Sequence, residues 1–341
     1  MEPVTHLLEL FYNQVIAVIS YPVDRYSRIF VLYLFSSLVF SYLVYRVKGN
    51  MPAIGQPPGK QEQGFINFLF PSYIWRERTA WLDVRYFFFH QLIRYSIYGT
   101  FLLAVSQWAL RVFAPENSLF SLQSTAVDNV YIISLFLIVN VLLIDFISYA
   151  IHAAQHRVPM LWEFHKVHHS AEVMHPLTNY REHPFDNLLY AVGTGLPLGL
   201  VAAVFYGIFG RVPETITIIG VGVFTFMFNF LAYNLRHSHI WLKWPGVLSV
   251  LFGSPAHHQI HHSKHPDHVD KNFAFMFPVW DWIFGTYCMP VSSKDVDFGL
   301  VNPDPELDSV LRLYYVPVRR VINRLFRSEE TAIKDSDTPG L

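Results

Sequence analysis

Residues 129–170 read NVYIISLFLIVNVLLIDFISYAIHAAQHRVPMLWEFHKVHHS. The part from 129 to 151 is apolar and long enough to cross a bilayer core, which takes about 20 residues. It runs straight into His152-Ala153-Ala154-Gln155-His156, and His165-Lys166-Val167-His168-His169 follows. A third cluster, His258-Gln259-Ile260-His261-His262, lies further on. Fifteen of the seventeen histidines fall between 152 and 268. Residues three and four apart share one face of a helix, so each cluster can aim two or three imidazoles at one point. Eight such histidines exceed the roughly four ligands of one closed tetrahedral ion. The count predicts two metal ions.

Composition agrees with a membrane setting. Of 341 residues, 52% are hydrophobic and only 15% charged, against about 25% charged in soluble domains. The net charge of −1 gives no footing for nucleic acid. One cysteine, Cys288, excludes a disulfide within the chain and excludes thiolate metal clusters. The first residues carry no basic region, so no cleavable signal peptide is expected.

Further apolar runs occupy 29–45, 88–110, 188–210 and 215–232, each read as a span. The Lys and Arg bias then sets the topology. The basic stretch 46–94 lies in the cytoplasm, and the loop 112–128, with only acidic charge, lies outside. On this scheme every histidine cluster reaches the cytoplasmic side. The amphipathic piece 318–327 is expected at the membrane surface, and 328–341 as disordered. The fold class is all-α: a multi-pass membrane helical bundle of four to six spanning or half-spanning helices, with a cytosolic histidine-rich helical cap holding a dimetal site. Three regions are expected: membrane helices and loop over 1–127, the dimetal domain over 128–292, and a polar tail over 293–341.

Neutral imidazole suits iron, zinc, copper and nickel. A zinc pair supports hydrolysis with metal-bound water as nucleophile; an iron pair supports dioxygen chemistry. A metal transporter would place polar groups along several spans, and 188–209 and 215–232 are nearly devoid of them. A metal-buffering tract would be flexible and repetitive, whereas these histidines sit among Trp162, Phe164, Tyr180 and Phe185. His6, His90 and His175 read as structural, and the lone Glu172-Val173-Met174-His175 as a decoy for a carboxylate di-iron motif.

Arg157-x-Pro159-x-Leu161-Trp162-x-Phe164-His165-x-Val167-His168-His169-Ser170, with His258-Gln259-Ile260-His261-His262-Ser263, resembles the fatty acid hydroxylase / sterol desaturase superfamily. Asn272-Phe273 and Trp280-Asp281-x-Ile283-Phe284-Gly285-Thr286-Tyr287 extend the resemblance over roughly 130–290. It implies a membrane-bound non-haem di-iron oxygenase that hydroxylates or desaturates a lipid C–H bond with dioxygen and two electrons. It also implies the ligand set: His152, His156, His165, His168, His169, His183 before Pro184, His237, His258, His261 and His262. No catalytic group beyond these ligands is called for. Ala153 stands where many members have arginine. His239, where the family often has asparagine, is a candidate ligand or outer support, and His257, His265 and His268 are candidates for outer support or the surface. Asp145 and Tyr149 share the helical face of His152, so Asp145 is expected to accept the free N–H of a ligand histidine.

These 341 residues show no cytochrome b5 haem segment, flavin motif or ferredoxin cysteines. Electrons are therefore expected from a separate donor: cytochrome b5, a ferredoxin with its reductase, or a pterin. The expected substrate is a membrane lipid, whether sterol, sphingolipid, ether lipid, ornithine-type lipid or carotenoid. The expected location is a bacterial inner membrane or the endoplasmic reticulum.

Overall fold

The computed structural model describes residues 12–48, 54–56, 64–92, 129–209, 212–214 and 216–336. They are mostly helical. The longer helices are α1 (residues 12–19), α2 (Val31–Lys48), α3 (residues 78–92), α4 (Val130–Arg157), α5 (Pro159–His169), α6 (Pro184–Phe209), α7 (Val223–Phe230), α8 (Pro255–His261), α9 (Val279–Phe284) and α10 (Val310–Ser336). A two-stranded hairpin, Thr217–Ile218 with Val221–Gly222, is the only sheet among the described residues.

The α4–α5 corner builds the site. The Asn129 side chain caps α4 by accepting from the Tyr131 backbone N–H at 3.0 Å. The 28 residues of α4 extend about 42 Å at about 1.5 Å per residue. A residue before proline is pushed out of the helical region, and Val158, before Pro159, sits at φ −93, ψ 113. Pro159 then opens α5, where its missing N–H costs nothing. The chain therefore turns sharply between two helices that both carry histidines. The last turns of α4 face α5.

α4 and α6 pack against each other, with Phe136 on Phe205 at 4.9 Å and Ile151 on Gly193. A Cβ at Gly193 would lie 2.6 Å from Ile151 Cδ1, so a larger residue there would make the Ile151 side chain shift. Both helices are long and apolar enough to cross a membrane, yet only 17% of the apolar window of α4 and 6% of that of α6 is buried. Such surface is not that of a soluble core helix. α2 is apolar over Val31–Val47, slightly shorter than these two.

Two expectations from the sequence are corrected. Residues 215–232 do not form a spanning helix. Ile219 and Gly220 at φ 49 and 80 make a hairpin turn, and α7 has eight residues, about 12 Å, well short of a bilayer core. α10 docks on α5 through Leu313 and Val316, which bury against Val167, Leu82 and Tyr86. It also continues helically through Ser336, within the stretch expected to be disordered. The expected spans and loops over 93–128 lie outside the described residues.

Candidate metal centre

Nine of the ten histidines expected to bind metal gather in two groups. His152 and His156 of α4, His165 and His169 of α5, and His261 of α8 form the first. His168 of α5, His237, His258 of α8 and His262 form the second. Within each group the donor atoms all lie within 4.8 Å of one another. The groups abut: the His169 and His262 rings stack at 4.4 Å.

The approach of Nε2 atoms is informative. His169 Nε2 lies 3.2 Å from His156 Nε2 and 3.1 Å from His261 Nε2. In the second group His237 Nε2 lies 3.2 Å from His168 Nε2 and 3.0 Å from His258 Nε2, which lies 3.0 Å from His262 Nε2. Metal–nitrogen bonds of about 2.0–2.1 Å place neighbouring ligand atoms about 3.0–3.4 Å apart. The side chains present therefore fit two ions held by imidazole.

The opposite ring edges are anchored. His152 Nδ1 meets the Phe273 carbonyl at 2.8 Å and His261 Nδ1 the Lys271 carbonyl at 2.9 Å. His156 Nδ1 lies 3.3 Å from Asp270 Oδ1, and His165 Nδ1 3.6 Å from Asp186 Oδ2. An acceptor at Nδ1 places the ring proton there and leaves Nε2 free as a ligand. His258 departs from this pattern. The Arg236 guanidinium, a donor, stands 3.3 Å from its Nδ1 and opposes that tautomer.

Burial holds these rings neutral. It pushes His168 down to about 3, helped by His165. Burial, then the neighbouring imidazoles, keep His169, His237 and His262 well below the usual histidine range. Neutral imidazole is the form that binds metal.

The strap 270–277 carries the anchors, and its motif residues explain themselves here. Asp281 accepts the N–H groups of Phe273 at 2.8 Å and Ala274 at 3.0 Å, and the Thr286 hydroxyl at 2.7 Å. Asn272 bonds the Cys288 backbone on both edges, at 2.8 Å each. Asp270 and Asn272 both adopt φ 56, left-handed backbone on either side of Lys271.

Asp145 does not touch a ligand histidine. Its carboxylate accepts from the Met276 and Phe277 N–H groups and from Trp280 Nε1 at 2.8–3.0 Å. Tyr149 Oη meets Thr286 Oγ1 at 3.1 Å. Both steady the strap and act on His152 only through it. His183 stands outside both groups: its Nε2 meets the Tyr314 carbonyl at 3.0 Å and its Nδ1 accepts from the Phe185 N–H. His239 Nε2 bonds the Phe68 carbonyl at 2.7 Å, and His257 Nδ1 caps α8 at Ser254. His175 lies in a structural network with Ala80 and Asp83, as expected. The anchoring carbonyls of Lys271 and Phe273, and Asp270 and Asp186, were not read from the sequence. The adjacent Asn272-Phe273 and Trp280-Asp281 motifs were their available signal.

A helical fold wrapped around two abutting groups of buried histidines defines the class of protein. Residues 137–286 match the fatty acid hydroxylase family model. That stretch, somewhat under half of the chain, is a fatty acid hydroxylase domain, in line with the resemblance its motifs carry. Alkylglycerol monooxygenase of Danio rerio is 30% identical over 175 residues, 50% of this chain and 35% of that protein. Ornithine lipid hydroxylase OlsE of Rhizobium tropici is 26% identical over 165 residues, 48% of this chain and 45% of that protein. Very-long-chain aldehyde decarbonylase GL1-1 of Oryza sativa subsp. indica is 30% identical over 148 residues, 40% and 21% of the two chains. The matched part thus spans less than half the length of these relatives. No solved structure matches the chain.

Proposed function

We propose that this protein is a membrane-bound non-haem di-iron oxygenase. It hydroxylates, or desaturates, a C–H bond of a membrane lipid with dioxygen and two electrons. The observation that carries this reading is the convergence of nine histidines on two points. The metal would be iron: the donor set accepts iron and zinc alike, and the relatives are named monooxygenase and hydroxylase. Bound iron would supply the activation of dioxygen; the chain supplies ligation, orientation and exclusion of water. The Phe273 and Lys271 carbonyls hold two ligand rings in register. The relatives' names give an alkylglycerol, an ornithine lipid and a very-long-chain aldehyde, and from them we carry over a lipid as the substrate class. Electrons come from a separate donor: cytochrome b5, a ferredoxin with its reductase, or a pterin.

α4 and α6 cross the bilayer in this reading. At about 42 Å, α4 exceeds the roughly 30 Å hydrocarbon core, so its last turns, with His152 and His156, stand in the headgroup region or beyond. The Lys and Arg bias of 46–94 puts that end in the cytoplasm.

The test is turnover of a membrane lipid extract by the purified protein with reductant and isotopically labelled dioxygen. A lipid one labelled oxygen atom heavier establishes a hydroxylase, and one lacking two hydrogens a desaturase. Hydrolysed lipid formed without dioxygen would overturn the reading.

A further inference from the structure

The nine histidines border two different spaces. His156, His169, His261 and His262 line an outer cleft of about 420 Å³. The other five, His152, His165, His168, His237 and His258, line an inner chamber of about 30 Å³. Both groups thus open on one small chamber. A water molecule needs about 10–15 Å³ of such space, so the chamber suits a molecule of two or three atoms.

The chamber is also lined by Tyr190 of α6, Asn179 and Arg236, and by the carboxylates of Glu182 and Asp186, of which Glu182 is paired with Arg28. Tyr190 Oη and Asn179 Nδ2 are sealed from solvent, and neither has a hydrogen-bond partner among the described residues. Asn179 is fixed by its other end, where Oδ1 accepts from Tyr233 Oη at 2.9 Å and Arg28 Nη1 at 3.3 Å. The Tyr190 ring is braced edge-on by Phe275 at 5.9 Å, another wall of the chamber. Arg236 bonds the Phe275 carbonyl at 2.7 Å and lies over the Phe228 and Tyr233 rings. A buried donor left unpaired is costly, and each one calls for an explanation. Two such donors and a cation share a chamber with ligand histidines of both groups.

We propose that Tyr190 is a ligand-binding residue whose hydroxyl, together with Asn179 Nδ2, donates hydrogen bonds to a small exogenous ligand in the inner chamber. Dioxygen or a small anion is then held in the inner chamber beside the histidines of both groups. The inference rests on the metal-centre reading above.

The probe is azide, titrated calorimetrically into the metal-loaded protein. Tyr190→Phe keeps the ring and its packing and removes only the donor. Its azide affinity should fall about tenfold, the usual consequence of one lost hydrogen bond to a charged partner. Val301→Ser, in the exposed lip of the outer cleft, should leave affinity unchanged. Equal affinity in wild type and Tyr190→Phe would overturn the proposal, as would a wild-type protein that binds no azide. Loss of metal from Tyr190→Phe would overturn it too, because a hydroxyl that serves only the ligand has no part in holding the ions. Dioxygen-dependent lipid product with unchanged azide affinity would sink this inference and leave the function standing. An azide effect without such product would do the reverse.

Discussion

His168 and His261 each speak for one group of histidines. His168→Ala and His261→Ala should each lose bound metal and turnover while the protein still inserts in membranes, measured by metal analysis of membrane-extracted protein. His183→Ala should keep its metal, since its ring bonds the Tyr314 carbonyl and the Phe185 N–H. Asp281→Asn loosens the Phe273 and Ala274 N–H groups and with them the carbonyl that orients His152. Loss of such outer support costs about 10–100-fold in metal affinity, measurable by chelator competition. At this scale the three histidine clusters were legible because helical spacing is a local property, while His237 was drawn in only by the family resemblance. The anchors were not: a backbone carbonyl carries no sequence signature, and Asp145 shares a face with His152 yet spends its carboxylate on Met276 and Phe277 of the strap and on Trp280. His183 was misplaced because a motif position gives no direction for the ring.

α10 is tied to α5 by charge as well as by apolar contact. Glu163 of α5 is buried, and Lys166, Arg320 and Arg324 surround it. Arg320 also pairs with Asp304 and Glu306. Replacing Arg320 and Arg324 together by alanine leaves Glu163 with Lys166 alone. Both arginines are partly exposed, so the cost should fall between surface and buried pairs, about 1–3 kcal/mol. A thermal melt of the detergent-solubilised double variant checks it; an unchanged midpoint would show that α10 holds by apolar contact alone. α4 and α6 were legible as long apolar helices. Residues 215–232 were not, because hydropathy counts side chains and ignores backbone, and the turn at Ile219–Gly220 ends any helix there. The docking of α10 needed tertiary information, since its arginines look equally suited to lipid headgroups.

For the whole molecule, the buried histidines link stability to pH. Their folded pKa values lie below the usual histidine range, His168 at about 3, through burial. In the unfolded chain they protonate near 6.5. Between those values the unfolded state binds more protons, so metal-free protein loses stability as pH falls below about 6.5. One unit below that point, each histidine held neutral costs about 1.4 kcal/mol. Melts of the metal-free protein from pH 8 to 5 should show a steep drop, and bound metal should flatten it. A flat profile without metal would mean the rings are not sealed as described. The sparse burial of α4 and α6 and the largely buried histidines describe one molecule with an apolar waist and a polar, histidine-rich end.

The most direct test of that centre is metal analysis of the purified wild-type protein beside His168→Ala and His261→Ala. Two iron ions per chain, with fewer in each variant, is the expected result. A wild-type chain that holds no transition metal, or variants that keep the full complement, would contradict it.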